Sequence, residues 1–177
     1  MDNIFKQSAE PKGFSWGDLG DIKEGRGNLG EEMPVIVYRL MQFTMRAVLE
    51  RDFGREKADH FLREAGHLAG AEFANNALDT NVPFDDFVAN LQKSLYELKV
   101  GMLRIEAISD DAKKIVMTVG EDLDCSGLPI TGEVVCNYDE GFIAGILEVY
   151  TGTVYTVREV DCWASGARTC RFKCTSC

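Results

Sequence analysis

The chain has 177 residues, 45% of them hydrophobic, enough for a packed core and too many for a disordered chain. Its formal net charge of −10 repels a phosphate backbone, and its basic residues are scattered rather than gathered into a stripe, which argues against direct nucleic-acid binding. No apolar run reaches the roughly 20 residues of a membrane helix, so no membrane span is expected.

Residues 1–32 form a glycine-rich, charged arm that cannot make a long amphipathic element. Its opening, MDNIFKQSAEPKGFSW, has neither the basic nor the apolar region of a secretory leader, so the reducing cytoplasm is the expected compartment. Phe14 and Trp16 need an apolar surface, either on their own domain or on a dimer partner. The domain proper is expected over residues 33–177.

From Met33 the apolar period is helical. Val37, Leu40, Met41, Thr44 and Val48 share one face of a first helix, begun near Pro34 and stopped at Gly54. A second helix follows, with Ala58, Phe61, Leu62, Ala65, Leu68, Ala69 and Phe73 on its stripe. Its small residues Ala65, Gly66, Ala69 and Gly70 admit a close neighbour. Pro83 opens a third helix with Phe84, Phe87, Val88, Leu91, Leu95 and Leu98 inward. The period then becomes two. GMLRIEAIS and KKIVMTVG read as strands joined by DDAK, with Leu103 and Ile105 on one face and Ile115, Met117 and Val119 on another. After the loop EDLDCSGLPITGE comes a fourth helix ending at Thr151-Gly152, and then a closing hairpin around ASGA. The order predicts an α+β domain, with one antiparallel sheet and helices packed on it.

Four of the six cysteines fall in the last twenty residues, REVDCWASGARTCRFKCTSC. Staples, a redox pair and part of a metal site are all open to such a cluster. Cys136 decides between them, because it begins the fourth helix, where free N–H groups stabilise a thiolate. Cys162 and Cys170 flank the hairpin turn, and Glu159 precedes them. Three thiolates and a carboxylate make a tetrahedral complement suited to zinc. The competing reading is that these cysteines are small buried hydrophobes. Cys174 and Cys177 form Cys-x-x-Cys where the strand runs out, a poor setting for disulfide catalysis, and Cys125 reads as a free loop thiol.

Residues 135–172 resemble the 4-vinyl reductase domain family, also described as predicted hydrocarbon-binding proteins. The resemblance rests on Cys136, Tyr138, Gly141, Phe142 and Gly145, then Glu159 and Cys162, then Gly166, Cys170 and Phe172. It implies a fold shared with a vesicle-trafficking subunit family and with nitric-oxide-signalling ligand domains. In phenol-sensing activators with such a domain, three cysteines and a glutamate hold zinc. Carried over, these are Cys136, Glu159, Cys162 and Cys170, with a structural role that ties the fourth helix to the hairpin.

The resemblance also implies an apolar pocket between sheet and helices. Candidate lining residues are Phe84, Phe87, Val88, Leu91, Leu103, Ile105, Ile115, Met117, Phe142 and Ile146, although each could equally be plain core. The histidine and tryptophan that the phenol sensors direct at the phenol hydroxyl have no evident counterparts, since His60 and His67 lie in the second helix and Trp163 in the hairpin turn. A less polar lipid-like or aromatic ligand is therefore expected. The histidines read as solvated or hydrogen-bonded rather than as metal ligands. The sequence carries no phosphate-binding loop, dinucleotide fingerprint or nucleophile elbow. Binding as a sensor or carrier, within a homodimer, is thus expected ahead of catalysis. An accessory or enzymatic role in tetrapyrrole vinyl reduction and a protein-interaction scaffold are the alternatives.

Overall fold

The computed structural model describes residues 13–177, so most of the stretch read for a leader lies outside the described residues. The chain divides into two compact units, Met1–Glu31 and Glu32–Cys177. In the first, a 3-10 turn spans Trp16–Leu19 and a one-turn helix α1 spans Ile22–Gly25. Asp18 and Asp21 cap these turns by accepting the backbone N–H groups of Ser15 and Glu24, each at 2.9 Å.

The second unit holds α2 (Val35–Phe53), α3 (Arg55–Ala77), α4 (Phe84–Glu97), β1 (Met102–Ile108), β2 (Lys114–Gly120), α5 (Asn137–Thr151), β3 (Tyr155–Asp161) and β4 (Cys170–Ser176). The four strands form one antiparallel sheet in the order β1-β2-β4-β3, as the period-two alternation predicts. Cys170, Phe172 and Cys174 of β4 face the core together with Ile115, Met117 and Val119 of β2. Gly54, at φ +82°, makes the corner between α2 and α3, a backbone conformation that L-residues rarely adopt.

Helices α3 and α5 cross with backbone against backbone. A Cβ on Gly66 would sit 2.0 Å from the carbonyl oxygen of Tyr138, and one on Gly70 would sit 2.1 Å from that of Phe142. From the other side, a Cβ on Gly141 would lie 1.9 Å from the carbonyl oxygen of Arg63, and one on Gly145 would lie 2.3 Å from that of His67. Two glycine pairs, each spaced by four residues, therefore set this crossing, and α5 is the close neighbour that the small residues of α3 admit.

Helix α2 is turned the other way. None of its residues is fully buried, and Ile36, Leu40, Met41 and Met45 are each more than half exposed. Its polar side faces the domain instead. Tyr38, Arg39, Gln42 and Arg46 all bond to groups more than ten residues distant in sequence. The apolar stripe expected on this helix exists, and the folded chain leaves it uncovered.

Candidate metal centre and adjoining cavity

Four sulfurs meet beneath the N-terminus of α5. The Sγ atoms of Cys125, Cys136, Cys162 and Cys170 all lie within 4.8 Å of one another, and all four residues are buried. None is in a disulfide. Separations are 3.8 Å for Cys136–Cys162, 3.9 Å for Cys136–Cys170 and 3.1 Å for Cys125–Cys170. A tetrahedron with metal–sulfur bonds of about 2.3 Å has edges of about 3.8 Å, so the first two separations match it and the third is tighter. A donor set of buried thiols also suits a soft or borderline divalent ion.

Local structure places each sulfur. Cys136 is the residue before α5. Cys162 heads the 3-10 turn Trp163–Ser165, where its N–H donates to Ser165 Oγ at 3.0 Å. Cys170 opens β4. Cys125 comes from the loop after β2, which α2 pins from outside. Arg39 donates to the carbonyls of Leu123 (2.9 Å) and Ser126 (2.8 Å), while Tyr38 and Gln42 donate to the Asp124 carboxyl at 2.7 and 2.6 Å. Arg46 fixes the other rim by donating to Asn137 Oδ1 at 2.6 Å and to the Val135 carbonyl at 3.1 Å.

Glu159 stands against the same cluster. Its Oε2 accepts the Cys136 backbone N–H at 3.0 Å, and its Oε1 is buried with no hydrogen-bond partner. Such an orphaned carboxyl oxygen beside gathered thiols is the environment that a bound cation satisfies. Burial, then the charge of Cys162, pushes the Glu159 carboxyl up to about 8. Within the cluster, hydrogen bonds from Cys125, Cys136 and Cys170 hold the Cys162 thiol far below its ordinary range. Sulfur–sulfur bonds, led by the one to Cys125, hold Cys136 and Cys170 well above it. The group thus concentrates one negative charge on a single sulfur, to which the Val135 amide also donates.

Beside this cluster lies an apolar cavity of about 40 Å³. Helix α4 contributes Leu91 and Leu95, the sheet side contributes Leu103, Met117 and Val119, and α5 contributes Phe142, Ile143, Ile146 and Leu147. Of the expected lining residues, Leu91, Leu103, Met117, Phe142 and Ile146 reach it. Phe87 and Ile115 are in the core instead, with Phe87 stacked on Tyr150 at 3.9 Å. Phe84 and Val88 are half-buried, Phe84 lying 6.0 Å from the Tyr150 ring. Ile105 packs half-buried on the edge strand β1.

The structure adds two lining residues that sequence reasoning missed, Asp122 and Asp139. Burial, then the charge of Asp124, pushes Asp122 up to about 7, and burial drives Asp139 well above the carboxylate range. One signal was available, because Asp139 heads the same i, i+3, i+4, i+7 stripe as Phe142, Ile143 and Ile146. Cys125, the fourth sulfur, had no such signal. Cys174 faces the core and Cys177 is exposed, so this Cys-x-x-Cys falls on opposite faces of β4. His67 bonds Glu148 at 2.8 Å, and His60 lies near Glu64 at 4.0 Å.

The 4-vinyl reductase (vinyl-4-reductase) domain family matches residues 115–176, the stretch that carries most of the sheet, the cluster and α5. An uncharacterised protein of Methanocaldococcus jannaschii is 35% identical over 97 residues, 54% of this chain and 56% of the relative. A second from the same organism is 21% identical over 103 residues, 58% of each. The chain therefore spans little more than half the length of the curated relatives it matches. Among solved structures, a vinyl-4-reductase family protein of Methanocaldococcus jannaschii superimposes with TM-score 0.59 at 15% identity, over 84% of this chain and 85% of that one. The phenol-responsive sensory domain of the transcription activator PoxR, crystallised with phenol, gives 0.61 at 15%, over 83% and 76%. A trafficking protein particle complex subunit 3 from Naegleria fowleri, covalently bound to palmitic acid, gives 0.61 at 13%, over 81% and 97%. At these identities the likeness is one of fold.

Proposed function

We propose that the chain, which carries a 4-vinyl reductase domain over residues 115–176, is a zinc-stabilised module that binds a small, largely apolar molecule as a sensor or carrier. The observation that carries this reading is the cavity between α4, the sheet and α5, apolar over most of its wall and set against a cluster of metal-competent thiols. Two neighbours of the same fold, one with phenol and one with palmitic acid, support it. The cavity, at about 40 Å³, is roughly a quarter of the ~150 Å³ cavity that admits benzene. Binding therefore moves the wall outward, most simply at α4 through Leu91 and Leu95.

Cys136, Cys162 and Cys170 hold the metal, and Cys125 supplies the fourth sulfur. Glu159, the ligand implied by the resemblance, keeps contact with the site through the Cys136 amide, with Oε1 in reserve as a fifth donor. Once bound, the ion ties α5 to the hairpin and leaves no position for a substrate, so its role is structural.

The uncovered apolar face of α2 supports a homodimer. A helix whose polar side is already bonded to its own domain offers its apolar side to a second surface, and an isologous contact supplies one. The thiol-rich, disulfide-free cluster fits a reducing cytoplasmic setting. Among the described residues, no helix is long and apolar enough to cross a membrane.

Native mass spectrometry of freshly purified protein, set against its denatured mass, tests the whole reading. One zinc per chain and an organic adduct are expected. A metal-free, adduct-free chain would remove both claims and favour an interaction scaffold.

A further inference from the structure

A cavity for a purely apolar ligand has no use for two carboxyl groups. Here they come from separate elements and converge at one end. Asp122 follows β2, and Asp139 sits in the first turn of α5. A carboxylate oxygen of each lies within 4.8 Å of the other. Asp122 is only 3% exposed, and its Oδ1 accepts the Asp124 N–H at 2.8 Å. Asp139 Oδ2 is buried without a hydrogen-bond partner. The nearby guanidinium groups are committed elsewhere. Arg39 serves the Leu123 and Ser126 carbonyls, Arg46 serves Asp59 and Asn137, and Arg63 serves Glu140. The remaining wall is hydrocarbon.

A buried carboxyl oxygen without a partner is costly, and the partner that suits a carboxyl pair best is a cation that also donates hydrogen bonds. Resting on the small-molecule reading above, we propose that the cavity takes an apolar molecule ending in a protonated amine. The ammonium head lies between Asp122 and Asp139. The hydrocarbon tail runs along Phe142 and Ile146 of α5, opposite Leu91 and Met117. This geometry selects by head group. An alcohol can donate one bond and carries no charge, while a carboxylate of the same length adds a third negative group to the pair.

The test uses the full chain loaded with zinc and three matched probes, n-butylamine, n-butanol and butanoate, followed by calorimetric titration and thermal shift. Butylamine is expected to bind at least about tenfold tighter than butanol, with butanoate inert. Asp139→Asn, which keeps the shape, is expected to bring butylamine down to the level of butanol. Equal binding of all three heads, or a preference for butanoate, would overturn the amine assignment and leave the small-molecule reading standing. Silence from all three overturns both. Because Asp122, Cys136 and Asp139 also group tightly enough to hold an ion, the loaded protein is weighed as well. A second metal per chain that blocks butylamine would reassign the carboxyl pair to that ion.

Discussion

Helices α2 and α5 are both amphipathic, and they meet the domain in opposite ways. Helix α5 buries eight residues, closes on α3 through glycines and lines the cavity with its other side. Helix α2 buries none fully and holds the domain with Tyr38, Arg39, Gln42 and Arg46, its apolar side turned out. The structural work of α5 is thus complete within one chain, whereas α2 is half complete. Apolar periodicity marks the stripe on each helix equally well and is silent on which surface will cover it.

The strongest way to break α5 is to take away what anchors its start. Cys162→Ala, or a strong chelator on the native protein, is expected to release the metal and cost about 4 kcal/mol or more, read as a fall in Tm of about 8–16 °C. An unchanged melt with zinc still bound would remove Cys162 from the site. Next comes the crossing with α3. Gly141→Ala places a methyl carbon 1.9 Å from the Arg63 carbonyl oxygen, so a loss of at least about 3 kcal/mol in urea denaturation is expected. Full stability in that variant would mean that the helices are not packed backbone to backbone.

The two helices meet at Arg46, which bonds Asp59, the Val135 carbonyl and Asn137. Arg46→Ala strands these acceptors and is expected to cost about 2 kcal/mol, with a loss of metal affinity that a purely local role would not produce. On the outer face, Leu40→Glu should shift the sedimentation profile from dimer to monomer while the melting temperature of the monomer moves little, within about 0.5 kcal/mol. A dimer that survives this change would put the interface elsewhere.

Much of the fold was legible because the period changes cleanly, from helical before Leu98 to alternating after Gly101, and because Gly54 and Gly152 mark true corners. The small-residue spacing of α3 and α5 likewise pointed to close packing. At the site, Cys136, Cys162 and Cys170 came from positions that a helix start and a hairpin bring together. Cys125 did not. It reaches the cluster only because α2 bonds to an irregular loop far along the chain, a contact with no local signature. The cavity acids were hidden for a similar reason. Asp122 reads as loop and Asp139 as an ordinary polar residue in a first helical turn, until the fold points both inward. Phe87 and Ile115 show the converse, since burial alone does not separate a wall from a core.

The first turn of α5 gathers these threads. Cys136 faces the sulfurs, Asn137 receives Arg46 from α2, Asp139 borders the cavity, and Glu140 takes Arg63 from α3 and the Glu159 amide from β3. Nearly every residue of that turn answers to a different neighbour. It is a junction, and a small rotation of it would be felt at the metal, in the cavity and along the outward helix together. A module that must announce an occupied cavity to a partner on its surface would have its relay in those few residues.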